Sequence, residues 1–254
     1  MAFQQIKVIG IARVLAAALG GVVVGASSVV KVPQILKVVN PPTLEGRIKV
    51  ANGITLEGLS LETLSQLIHI VYNFQNKNSF VNYGETALVG IQNVIIILLI
   101  EYYRLRQHFE SISNSPEKLQ IEYSLKELQK PILTMFGIFI FLTKIAPSSL
   151  IDGLQILGIP ISIVGKIPQL RKNYLLKSTS HLSNITIGAN VLGTAIRVFT
   201  TIKGTRKALK PSDYVLLTGY SSGLILNLIL AGQAVYYGKF YTASTDEDEA
   251  KKDI

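Results

Sequence analysis

Two heptapeptides share one pattern: Lys31-Val32-Pro33-Gln34-Ile35-Leu36-Lys37 and Lys166-Ile167-Pro168-Gln169-Leu170-Arg171-Lys172, 135 positions apart. Each closes a long apolar stretch. A second likeness lies at an offset of 134. Ile91-x-Asn93-x-Ile95 before Tyr102-Tyr103 matches Ile225-x-Asn227-x-Ile229 before Tyr236-Tyr237. Between these anchors, Gly58-Leu59-Ser60 is paired with His181-Leu182-Ser183. Two independent matches at nearly one offset point to an internal duplication.

The surroundings of these motifs are membrane-like. The 254 residues are 48% hydrophobic and only 16% charged, and the mean hydropathy is +0.38. Soluble domains carry about a quarter charged residues. Seven apolar spans are expected, each of roughly the 20 residues that cross a bilayer. They run from Val8 to Val30, Leu59 to Phe74, Tyr83 to Glu101, Pro131 to Ala146, Leu150 to Pro168, Leu182 to Ile202 and Tyr214 to Tyr237. The second is weak, with Glu62, Gln66 and His69 inside it, and should face protein. A cleaved signal peptide is the alternative for the first.

The expected architecture is all-α, seven transmembrane helices arranged 3+1+3. Residues 1–106 form one three-helix repeat. Residues 107–149 form a loop and a linker helix, residues 150–240 the second repeat, and residues 241–254 a polar tail. Three spans leave the chain on the opposite face, so the fourth span lets the two repeats run parallel. In the loop, Ser115-Pro116 reads as a helix start. Ile121, Leu125 and Leu128 then recur at helical spacing, so this segment is either a surface helix or a solvated linker.

The net charge of +9 sits in short runs beside apolar segments. That suits the positive-inside rule and lipid headgroups rather than nucleic acid. Lys37, Arg47, Lys49, Arg104, Arg106, Lys118, Lys126, Lys130, Arg171, Lys172, Lys177, Lys239, Lys251 and Lys252 fall on one face, which should be cytosolic together with the C-terminus. Lys7, Lys77, Lys203, Arg206, Lys207 and Lys210 fall on the other. Lys251 and Lys252, fourth and third from the end, resemble a dilysine retrieval signal read by cytosolic coat proteins. The sequon at Asn184 falls at the cytosolic end of a span and is expected to stay unused.

The absence of cysteine excludes disulfides, thiolate catalysis and cysteine metal sites. No grouping of nucleophile, base and acid is visible, and His69, His108 and His181 are far apart. No enzyme, metal or cofactor is expected. Proline inside a helix frees the carbonyl four residues back, Val29 for Pro33 and Val164 for Pro168. The following Gln34 and Gln169 are expected to donate to those carbonyls, and Lys31 and Lys166 to snorkel outward. The kinks are then either hinges or fixed bends. Asn93, Asn227 and Asn190 are candidates to line a central cavity or to bond between helices. Arg197 and Glu85 are candidates for a phosphate site or an ion pair.

At these residues the chain resembles the PQ-loop family, and within it the mannose-P-dolichol utilization defect 1 group. The likeness rests on Val30-Lys31-Val32-Pro33-Gln34, Glu57-Gly58-Leu59-Ser60, Ser79-Phe80-Val81-Asn82-Tyr83-Gly84-Glu85, Ile91-Gln92, Gly165-Lys166-Ile167-Pro168-Gln169, Lys177-Ser178-Thr179-x-x-Leu182-Ser183, and Gly193-x-x-x-Arg197-Val198-Phe199-Thr200. The loop after the third span and the stretch from Pro41 to Ile54 look like insertions. The resemblance implies an endoplasmic reticulum membrane protein needed for using dolichol-phosphate-linked mannose and glucose in the lumen. A small-solute transporter and a membrane scaffold or cargo receptor are the alternatives.

Overall fold

The computed structural model describes residues 21–22, 24–78, 80, 83–112, 116–204 and 211–238. Most of the expected first span, with Arg13, lies outside these residues, as do Arg206, Lys207, Lys210, Lys251 and Lys252. All the regular elements among the described residues are helical: α1 Val32–Val39, α2 Leu44–Gly53, α3 Leu56–Gln75, α4 Gly84–Ile112, α5 Glu117–Glu127, α6 Gln129–Ile140, α7 Ser148–Leu176, α8 Asn184–Gly204 and α9 Pro211–Tyr236. Among the described residues, three stretches are long and apolar enough to cross a membrane: Gly84–Ser111, Glu117–Ile145 and Ser148–Leu176.

The exterior is apolar where a soluble protein would be polar. On α6, Leu133, Phe136 and Phe139 are all exposed, and none of its residues is buried. A helix that is apolar all round, yet unburied, has lipid as its natural solvent. It ends in a π-turn, Phe141–Ile145, closed by Ala146 N–H donating to the Phe141 carbonyl at 2.8 Å.

The segments that look like insertions are ordered helices. Thr43 caps α2 by accepting from Gly46 N–H at 3.1 Å, and Glu45 sits in the first turn, where negative charge suits the helix dipole. Ile48 and Ala51 of α2 are buried in a core with Val38, Leu59, Ile96, Ile100 and Tyr103. The loop contains a helix. Pro116 precedes α5, whose Ser124 is fully buried, and Tyr123 stacks on Phe109 of α4 at 4.6 Å. The α4 helix runs well past Glu101, to Ile112.

The most extensive contact joins α3 to α7, and small residues create it. The two helices run antiparallel, with Gly58 facing Gly165 and Ser65 facing Gly158, a seven-residue repeat on each helix. Ser65 Oγ donates to the Gly158 carbonyl at 2.9 Å. Small residues let helix backbones approach closely where lipid supplies no hydrophobic drive. A Cβ on Gly58 would lie 2.4 Å from the Gly165 carbonyl oxygen, and backbone cannot yield as a side chain can. Gly58→Ala is therefore expected to cost about 1–3 kcal/mol, read as a lower apparent melting temperature of the purified protein. Gly137→Ala, where a Cβ meets nothing within 4 Å, should leave that temperature unchanged or slightly raised.

Candidate functional site

The two heptapeptides perform the same task on opposite halves. Gln34 donates from Nε2 to the His181 carbonyl at 2.9 Å and accepts from Ser183 N–H at 2.6 Å. Gln169 donates from Nε2 to the Gly53 carbonyl at 3.2 Å and accepts from Thr55 N–H at 2.8 Å. The closing lysines act on the residue in between. Lys37 Nζ donates to the Leu182 carbonyl at 2.8 Å, and Lys172 Nζ reaches the Ile54 carbonyl at a long 3.5 Å. Each motif thus grips a three-residue loop that opens a helix of the other half, Gly53–Thr55 before α3 and His181–Ser183 before α8.

These bonds correct the expectation that the glutamines bond the carbonyls freed by their own prolines. They also change the register of the duplication. Ile54-Thr55, rather than Leu59-Ser60, is the structural counterpart of Leu182-Ser183. With that shift Glu62 corresponds to Asn190, and Gln66 to Thr194.

The shifted register accounts for the surroundings of the paired asparagines. Asn93 Nδ2 lies 3.3 Å from Glu62 Oε1 and 3.1 Å from Gln66 Oε1. Asn227 Nδ2 lies 3.2 Å from the Asn190 carbonyl and 3.3 Å from Thr194 Oγ1. Asn93 is fully buried, and its Oδ1 has no donor among the described residues.

The prolines differ. Pro168 lies inside continuous α7, whereas Pro33 occupies the first turn of α1, where its missing N–H costs nothing. The Val29 carbonyl accepts from Val32 N–H at 3.0 Å. Gln92 spans the turn between them, accepting from Lys31 N–H at 2.8 Å and donating to the Ser27 carbonyl at 2.7 Å. Its counterpart at the 134 offset is Leu226, which stands where α7 has no break to bridge.

A cavity of about 100 Å³ lies between the halves. It is lined in pairs by Lys31 and Lys166, Gln34 and Gln169, Glu62 and Asn190, Gly58 and Thr186, and Leu59 and Ile187, and also by Asn227. The lysines point inward instead of snorkelling. Lys31 Nζ lies 3.6 Å from Glu62 Oε1, and Lys166 Nζ donates to Asn227 Oδ1 at 2.7 Å. An opposite charge and an amide oxygen hold them there. Of the candidates, Lys31, Lys166, Gln34, Gln169, Asn190 and Asn227 meet at the cavity, with Asn93 one contact behind Glu62. Arg197 and Glu85 do not line it. Arg197 Nε donates to Glu85 Oε2 at 3.0 Å, and its Nη2 reaches the same oxygen, tying α8 to α4.

Glu62 was the missed site residue, and a charge inside an apolar span was its signal. His181 was missed too. It is buried against Gly53, where a Cβ would lie 2.3 Å from the ring.

Residues 150–203 match the PQ loop repeat family. The matched segment contains Lys166, Gln169, His181, Asn190 and Arg197. The first half resembles it through its own Lys-x-Pro-Gln stretch. No solved structure matches the chain.

Burial, with Lys172 and Lys37 nearby, pushes the His181 imidazole down from 6.5 to about 4. The folded protein therefore holds this ring neutral while the unfolded chain protonates it near 6.5. Stability from this site is complete above pH 6.5, declines as the pH falls towards 4, and levels off below. The full swing is about 3 kcal/mol. Melting temperatures measured from pH 8 to pH 4 should fall more steeply for wild type than for His181→Asn, and parallel curves would remove His181 as the cause.

Proposed function

We propose that the chain is a seven-span endoplasmic reticulum protein, arranged as two parallel three-helix repeats joined by a linker helix. We read it as needed for the use of dolichol-phosphate-linked mannose and glucose in lumenal glycosylation. Its C-terminus lies in the cytosol. The role fits movement or presentation of the lipid's polar headgroup through the central cavity, without chemistry on it.

The reciprocal grip of Gln34 and Gln169 on the two loops carries this reading. A cavity that carries paired lysines and glutamines lies between equivalent halves, and bonds cross beside it from each half to the other. Parting the halves breaks both grips together, which is how an alternating opening would act on a group held between them. The residues from Tyr83 to Glu85 and from Arg197 to Thr200 support the narrower resemblance.

Cells lacking the protein are expected to make glycans short of lumenally added mannose and glucose. Normal glycans together with normal GPI anchors would refute the pathway reading.

The size of the cavity favours a second reading, a small-solute transporter. About 100 Å³ is well below the roughly 300 Å³ at which pockets for larger ligands begin. That reading expects sugar or amino-acid uptake into proteoliposomes, lost on Asn227→Ala, with glycans unchanged in the null.

A further inference from the structure

The cavity holds an imbalance of charge. Two ammonium groups, Lys31 and Lys166, face it, and Glu62 is the carboxylate among its described lining residues. Lys31 is 8% exposed, and its approach to Glu62 at 3.6 Å is a loose one. Lys166 has a neutral partner, Asn227 Oδ1. Each ammonium carries three N–H donors, so two on each remain for something inside the cavity. Water can accept those bonds but cannot cancel the surplus charge, and an uncompensated charge in a lipid-embedded bundle is costly.

The counterpart position sharpens the point. Asn190 stands where the first half has Glu62, so one carboxylate serves both lysines: it lies beside Lys31 and acts on Lys166 through space. The asymmetry leaves room for one negative charge that the described lining residues do not supply.

We propose that this cavity is a binding site for a singly charged phosphoryl group, held between Lys31 and Lys166 with Asn190, Asn227 and Thr186 around it. Several N–H donors converging on one small space suit a group with several oxygens better than a neutral hydroxyl. The inference rests on the reading of the cavity as the place where a polar headgroup is handled. The group comes either from a lipid, as a phosphate ester, or as free phosphate. At about 100 Å³ the cavity takes the charged group and not a whole lipid-linked sugar.

The test uses the full-length protein in uncharged detergent at low ionic strength, with radiolabelled inorganic phosphate in one arm and dodecyl phosphate in the other. Lys31→Gln and Lys166→Gln should each weaken binding by about tenfold or more, while Lys166→Arg retains it. Glu62→Gln raises the surplus charge and should tighten binding, and a structural role alone would not produce this opposite sign. Monodispersity and melting temperature confirm folding. Should Glu62→Gln fail to fold, the two lysine variants decide alone.

Dodecyl phosphate binding much tighter than phosphate identifies a lipid source, and equal binding identifies free phosphate. Binding that is absent in both arms, or that survives both lysine variants, overturns the proposal. Either result leaves the glycan test to judge the pathway reading. Normal glycans in the null, alongside lysine-dependent phosphate binding, would remove the pathway and keep the site.

Discussion

In a helical bundle surrounded by lipid, every backbone N–H and C=O must find a partner inside the protein, since no water is there to serve. The difficulty concentrates where a helix starts, because its first N–H groups have no partner within the helix. Here the loops before α3 and α8 are such places, and both are buried. A glutamine amide has a donor and an acceptor side by side, so it can serve a carbonyl and an N–H two residues apart. Gln34 and Gln169 do this across the middle of the molecule. The halves are therefore bound by the needs of backbone as much as by apolar contact. His181 is buried as a neutral ring because the loop that carries it is gripped there.

Around this reciprocal grip the halves have diverged in ways that make local sense. The chain turns before Pro33 and leaves buried backbone groups without helical partners, which Gln92 takes up. It runs straight through Pro168, and leucine suffices at position 226. Gly58 lets α3 lie against the backbone of α7. Its counterpart Thr186 instead donates from Oγ1 to the Val30 carbonyl at 3.1 Å. One seam is closed by removing a side chain, the other by bridging with one.

The same divergence shapes the cavity. The paired lysines and paired asparagines keep the equivalence of the halves, while Glu62 against Asn190 breaks it. Charge in the interior is consequently uneven, with the carboxylate beside Lys31 and an amide beside Lys166. The ion pair of Glu85 with Arg197 stands apart and joins α4 to α8. Its partners satisfy one another.

Much of this was legible in the amino-acid sequence. Low, clustered charge determined a membrane-embedded helical chain, because lipid admits few charges. The repeated Lys-x-Pro-Gln stretch determined that two similar units exist, and the polar residues within spans marked which side chains must face inward. The tertiary structure alone decided what those side chains touch. The glutamines reach the opposite half, the lysines turn towards a cavity, and the counterpart of Ser183 is Thr55. Glu62 comes into the site for the same reason. Spacing along a chain records which face of a helix a residue occupies, but a partner more than a hundred residues away is chosen by packing. That packing depends on where two glycines let α3 and α7 meet.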